Sequence, residues 1–225
     1  MIQAVLFDFN GVIIDDESQH CAALQRVLAN EGIELTREQY YAEYLGLDDR
    51  TSFVEAYRRA ARTLTTELLN YLVTKKSELY LSIMEKSLRV VPGVREFVRE
   101  AATRFRLGIV SGALRREIDA MLARADRDFA NRFEIIIAAE DVRRCKPDPA
   151  AYLAGLEALN RGTPLAAGAC VVMEDSLPGL TAARAAGMPC VMLATSHSAE
   201  QLEGRGAALV WDSFAGHAAA ELANL

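Results

Sequence analysis

Short apolar runs recur along the chain: AVLF at 4–7, LGIV at 107–110, EIIIA at 134–138, ACVVM at 169–173, PCVML at 189–193 and a weaker AALV at 207–210. Each is followed by a turn signal and then by apolar residues at helical spacing, which reads as buried strands alternating with crossover helices. That alternation predicts an α/β fold, a parallel sheet with helices on both faces. Residues 16–88 interrupt the pattern. They hold no strand-like run, only helical segments rich in Ala, Leu, Glu, Arg and Tyr. In CAALQRVLANEG the apolar positions Cys21, Leu24, Val27 and Leu28 share one helix face, and Gly32 stops the helix. This block reads as a helical domain inserted after the first strand, with VPGV at 91–94 marking the return. The predicted division is a core of residues 1–15 and 89–225 and an insertion of residues 16–88.

Composition narrows the partners. The chain has 225 residues, 51% hydrophobic and 25% charged, with a net charge of −6. That balance argues against nucleic acid, whose phosphates are bound by clustered Lys and Arg. It leaves room for a small phosphorylated substrate, because one metal ion and one or two lysines reverse the local sign inside a cleft. No apolar run approaches the roughly 20 residues of a membrane span, and no basic stretch with a cleavage site opens the chain. No membrane partner is expected, and the cytoplasm is the expected address. Cys21, Cys145, Cys170 and Cys190 are scattered, without a CxxC pair or a His at ligand spacing, and read as reduced thiols.

Ligands of open parallel sheets bind where loops leave the carboxyl ends of strands. Asp8 and Asn10 follow the first strand, Ser111 and Gly112 the second, and Glu174 and Asp175 the ACVVM run; Lys146 lies in CKPDP, just before a helix. Each alone has a plain structural use: an Asp in a turn, a Ser capping a helix, a Lys in solvent. Their convergence is what points to chemistry. Adjacent carboxylates at a buried strand end repel one another unless a cation compensates, and Mg²⁺ takes one or two carboxylates plus waters and substrate phosphate. Successive strand side chains point to opposite faces, so Asp175 is the firmer ligand and Glu174 the second. Lys146 is held on a turn by Asp148, a plausible helix cap, and Pro149 at the first helical position. There it would keep a nucleophilic carboxylate ionised and neutralise phosphate oxygens. Ser111 and the nearby helix N–H groups would cradle the phosphate.

With FDFNGVIID, IVSGAL, CKPDP and VVMEDSLPGLTAARAAGM in that order, the chain resembles the haloacid dehalogenase superfamily, within it the beta-phosphoglucomutase-like group. The resemblance covers almost the whole chain. It implies a Rossmann-like core with an α-helical cap of four-helix-bundle type, and a monomer or weak homodimer. It implies a Mg²⁺-dependent phosphatase acting on a sugar-phosphate-like metabolite, with phosphomutase as the alternative. Asp8 would form an aspartyl-phosphate, and Asp8, the Asn10 carbonyl, Asp175 and Glu174 would hold Mg²⁺. Ser111, Gly112 and Lys146 would bind the transferred group. His20, the Gly46–Arg50 loop (with Gly46 and Arg50 as its candidates) and Lys75 or Lys76, with Lys76 preferred, would contact substrate. His20 also shares the Leu24/Leu28 helix face, so a packed core His remains open. One departure matters: the family's phosphatases and mutases usually carry a second Asp where this chain has Asn10. An amide cannot cycle a proton, which leaves three alternatives. Asp15, Asp16 or Glu17 substitutes; the substrate has a good leaving group; or the protein is slow, a phospho-ligand-binding module.

Overall fold

The structure, a computed structural model, describes residues 1–125, 127–161 and 164–225. Strand β1 (Ala4–Phe7) leads into four helices, α1 (Glu17–Asn30), α2 (Arg37–Glu43), α3 (Asp49–Arg59) and α4 (Thr66–Ser87). Then come α5 (Val94–Ala101), β2 (Arg106–Val110), α6 (Arg115–Ala125), α7 (Arg127–Ala130), β3 (Ile135–Ile137) and α8 (Ala150–Leu159). The chain closes with β4 (Cys170–Glu174), α9 (Leu177–Ala185), β5 (Cys190–Leu193), α10 (Ala199–Leu202) and β6 (Leu209–Trp211). All six strands are parallel, in the order β3-β2-β1-β4-β5-β6. The predicted parallel sheet with helices on both faces is therefore present. AALV needs the largest adjustment, because the last strand starts at Leu209 and includes Trp211.

Why the runs are continuously apolar follows from the layers. Val5, Phe7, Leu107, Ile109, Val171 and Met173 face one side, where they meet Phe97, Trp211 and Phe214. Ala4, Leu6, Val110, Cys170 and Val172 face the other, against Tyr152 of α8 and Leu180 of α9. With both faces covered, neither parity of the strand can be polar. Phe7 shows the energetic weight of this packing. It has no exposed surface and lies edge-on to Phe97 and Phe133, and truncating such a residue to Ala costs about 3–5 kcal/mol.

Helices α1–α4 enclose a cluster of their own, with Leu24, Leu28, Tyr40, Phe53, Tyr57 and Leu72 among its buried members. The face predicted for α1 is the one buried, and Gly32 ends it at φ +68°. Asp48 caps α3 through the amides of Arg50 and Thr51, 3.0 and 3.2 Å away. The strands of chain entering and leaving this region pair with each other: the Asp15 amide donates to the Arg89 carbonyl and that of Val91 to Ile13, both at 3.0 Å.

The sheet order fixes where a ligand fits. From β1 the chain winds outward through β2 and β3, then returns to β4 on the other side of β1 and winds the opposite way. Connections beyond the carboxyl ends of β1 and β4 therefore diverge and leave a crevice. The register places Phe7 beside Met173, so Asp8 and Glu174 leave the sheet together. No described helix is long and apolar enough to cross a membrane.

Candidate active site

Asp8 continues the β1 ladder by one bond, its amide donating to the Met173 carbonyl at 2.9 Å. The chain then turns sharply at Gly11, whose φ is +71°. A Cβ there would lie 1.9 Å from Asp175 Oδ2, so glycine serves both the left-handed backbone and the close approach of the carboxylate. Thr195, beyond β5, ties the turn down through its hydroxyl, 2.6 Å from the Gly11 carbonyl.

This turn brings Asp8, Glu174 and Asp175 together. All three are buried, and one carboxylate oxygen of each lies within 4.8 Å of the others. Their charges are unequally compensated. Burial raises Asp8 to about 6, with Lys146 pulling it down and Glu174 pushing it up. Burial, then Glu174 and Asp8, push Asp175 well above the carboxylate range. Asp8 Oδ1 stands 3.1 Å from Lys146 Nζ but accepts no well-formed hydrogen bond from any described residue. Asp175 accepts from the Ser196 hydroxyl. Two buried carboxylates with spare lone pairs and raised pKa suit a small hard cation.

Glu174 is differently placed. Its Oε1 accepts from Lys146 Nζ (2.6 Å) and the Tyr152 hydroxyl (2.8 Å). Its Oε2 accepts from the amides of Asp175 and Ser176 and from the Ser176 hydroxyl. Burial alone would raise its pKa, yet Lys146 and these hydrogen bonds bring it below the usual value. So many donors make Glu174 an anchor for Lys146 and for the β4–α9 turn. A Cβ at Gly179 would sit 1.7 Å from Glu174 Oε1, so the first turn of α9 packs directly on this carboxylate.

Lys146 reaches the cluster with a side chain only 7% exposed, and its third contact is the Val110 carbonyl at 3.3 Å. Burial opposes its charge, but Asp8 and Glu174 outweigh burial and hold it firmly protonated. Its loop is built slightly differently from expectation: Pro149 is the cap position of α8, and Asp148 accepts from the Ala150 amide at 3.0 Å. Ser111 is buried, and its oxygen accepts from the Ala113 amide at 3.1 Å. It does not cap α6, which starts at Arg115. The Leu114 and Arg115 amides point to Glu117 and Glu140, so Gly112 and the Ser111 hydroxyl are left to face the cavity.

Asn10 opens a second network. Its Nδ2 lies 2.7 Å from Asp16 Oδ2 and 3.0 Å from His20 Nε2. The Tyr80 hydroxyl also donates to Asp16 Oδ2, and His20 Nδ1 meets Lys76 Nζ, which pairs with Asp49 at 2.7 Å. His20 stacks on Tyr80 with ring centroids 4.1 Å apart, and it also lines the cavity. Burial and Lys76 depress its pKa, but the bond and charge of Asp16 raise it overall. Lys76 is wholly buried, and Asp49 followed by Glu117 keep it protonated against burial.

Among the three acids downstream of Asn10, Asp15 lies outside, 3.6 Å from Arg89, and Asp16, wholly buried with Oδ2 bonded to Asn10 and Tyr80, is not among the residues that line the cavity. Glu17 lines the cavity. The Tyr40 hydroxyl donates to its Oε1, and burial raises its pKa against the opposing influence of His20. Gly46 and Lys76 also line the cavity. Arg50 does not: it is exposed, bonded to Asn70 at 2.8 Å, and borders the next groove. The sequence reading missed Ser196 and Glu117. Ser196 follows β5, so the strand-end rule could have found it. Glu117 looks like an ordinary acid in the first turn of a helix.

Residues 5–193 match the haloacid dehalogenase-like hydrolase family. The chain belongs to that family. Among its relatives, protein CbbY of Rhodobacter capsulatus is 28% identical over 88% of this chain and 87% of its own length. The phosphorylated carbohydrates phosphatase of Thermotoga maritima is 30% identical over 83% of this chain and 82% of its own. A crystal structure of a CbbY mutant from Rhodobacter sphaeroides in complex with xylulose-(1,5)bisphosphate superposes with a TM-score of 0.82 at 26% identity, covering 96% of each chain. Family membership makes this chain a hydrolase.

Proposed function

We propose that this hydrolase is a Mg²⁺-dependent phosphatase of a small, sugar-phosphate-like metabolite, with Asp8 as covalent nucleophile. The observation that carries the reading is the buried pair Asp8 and Asp175, under-compensated and flanked by Lys146 at the crevice between β1 and β4. Asp8, Asp175 and the Asn10 carbonyl would hold the ion, which supplies charge neutralisation for the phosphoryl oxygens. Glu174, the third carboxylate of the cluster, is the second candidate ligand, and it also acts through Lys146, which it anchors.

The residues of the chain do the rest. Lys146, the Ser111 hydroxyl and the Gly112 amide hold the phosphoryl group in line with an Asp8 oxygen. That oxygen bonds to phosphorus as the bond from phosphorus to the substrate alcohol breaks. The departing oxygen needs a proton, which Asn10 cannot give. Glu17, lining the same cavity with a raised pKa, gives it and then takes a proton from the water that cleaves the aspartyl-phosphate. Residues 16–88 serve as a cap that excludes bulk water from the crevice and presents Glu17, His20, Gly46 and Lys76 to the substrate. The relatives named for phosphorylated carbohydrates favour a sugar phosphate. Free cysteines and the absence of a membrane-spanning helix among the described residues fit a cytoplasmic address.

Phosphate release from a panel of phosphomonoesters with Mg²⁺ tests this. Multiple turnover lost on chelation and in Asp8→Asn supports the proposal; turnover that survives either change overturns it.

A further inference from the structure

The cavity lining carries a carboxylate that none of the steps above uses. Glu117, in the first turn of α6, is 1% exposed and lines the cavity. Its Oε1 has no hydrogen-bond partner among the described residues, and its Oε2 has only the long 3.4 Å contact from the Leu114 amide. A buried carboxylate left in this state is costly unless a cation or donor arrives. Lys76, whose charge Glu117 helps to hold, makes its ion pair with Asp49.

The rest of the lining has the same sign. Asp48, Asp49 and Glu17 join Glu117 in lining the cavity. The cavity is lined by no arginine among the described residues, and Lys146 is taken by Asp8 and Glu174. A second phosphate on the substrate would meet these carboxylates, while the cationic groups of the described lining, Lys76, Lys146 and His20, already face Asp49, Asp8 with Glu174, and Asp16. An ammonium would meet a buried acceptor with open lone pairs, the arrangement that makes charge-assisted hydrogen bonds strong.

We infer that Glu117 is a specificity-determining residue that receives an ammonium group, so that the preferred substrates are amine-bearing sugar or cyclitol monophosphates. The inference rests on the phosphatase reading for its kinetic test, and a binding test stands apart from that reading. Glucosamine 6-phosphate and glucose 6-phosphate differ at one ring substituent and serve as the probes. The wild type should hydrolyse the amine at least about tenfold more efficiently in kcat/KM, and Glu117→Gln should bring the ratio of the two close to unity. A purely structural Glu117 would lower both rates together and leave the ratio intact, which would overturn the inference. In the turnover-deficient Asp8→Asn variant, calorimetry should show the same tenfold preference in Kd. Equal affinities there overturn the inference even if phosphatase activity is found; a preference in binding with no turnover by the wild type sustains it while sinking the phosphatase reading.

Discussion

Asn10→Asp should raise activity and lower stability together, because the same side chain serves two ends. Its amide now donates to Asp16 at 2.7 Å and lies 3.0 Å from His20. A carboxylate in its place offers no donor and sets a second negative charge against the fully buried Asp16. Losing a hydrogen bond to a buried charged group costs about 1.5–3 kcal/mol, and the repulsion adds to that unless the new side chain swings into the cavity. A loss of about 2 kcal/mol in a chain of this size lowers Tm by about 4–8 °C. The swing that relieves the repulsion also brings an acid toward the leaving group, and general acid–base help is worth about 10²–10⁴-fold. Glu17 already supplies part of that help, so a gain in kcat near 10-fold is expected for substrates with poor leaving groups, and little gain for aryl phosphates. Phosphate-release kinetics and thermal unfolding of the same preparation read both effects. A variant that is as stable as the wild type, or that gains nothing on alkyl phosphates, would refute the reasoning.

Three further outcomes follow from the geometry. Lys146→Ala leaves Glu174 and Asp8 without their buried partner and should cost about 3–5 kcal/mol in urea unfolding; a loss below about 1 kcal/mol contradicts the burial described. Gly11→Ala pushes a Cβ onto Asp175 Oδ2 at a left-handed backbone, so calorimetric Mg²⁺ affinity should fall at least about tenfold, and unchanged affinity would remove Asp175 from the ligand set. Asp8 has a folded pKa of about 6 against an ordinary 3.8, so the metal-free folded state holds the extra proton between those values and loses stability as pH rises through them. Without metal, Asp8→Asn should therefore be more stable than the wild type at neutral pH, by up to about 3 kcal/mol. Near pH 4 the advantage should be gone, and a gain that does not change with pH excludes Asp8 titration as its source.

What the sequence disclosed was governed by backbone periodicity. Asp8, Ser111 and Glu174 could be placed because each follows an apolar run buried on both faces, and a parallel sheet sends all such ends to one edge. The relation between Glu174 and Asp175 was half legible: alternation favoured Asp175, but only the structure shows how many donors, Lys146 and Tyr152 among them, gather on Glu174. Arg50 illustrates the opposite case. A loop arginine looked suited to substrate, yet its side chain turns outward to Asn70, a choice that tertiary packing makes and no local pattern records. Glu117 escaped notice because an acid in a first helical turn is usually there for the helix dipole. The contest among Asp15, Asp16 and Glu17 was likewise undecidable from spacing, since all three are consecutive and differ in whether they lie in the linking segment, at the cap of α1 or in its first turn.

The central claim is that Asp8 carries the phosphoryl group during turnover. Acid quenching during steady-state hydrolysis, followed by peptide mass spectrometry, tests it most directly. The account predicts a phosphoryl adduct on Asp8 that needs Mg²⁺ and disappears when substrate is exhausted. Rapid turnover with no adduct on Asp8 at any quench time, or an adduct on another residue, would contradict it.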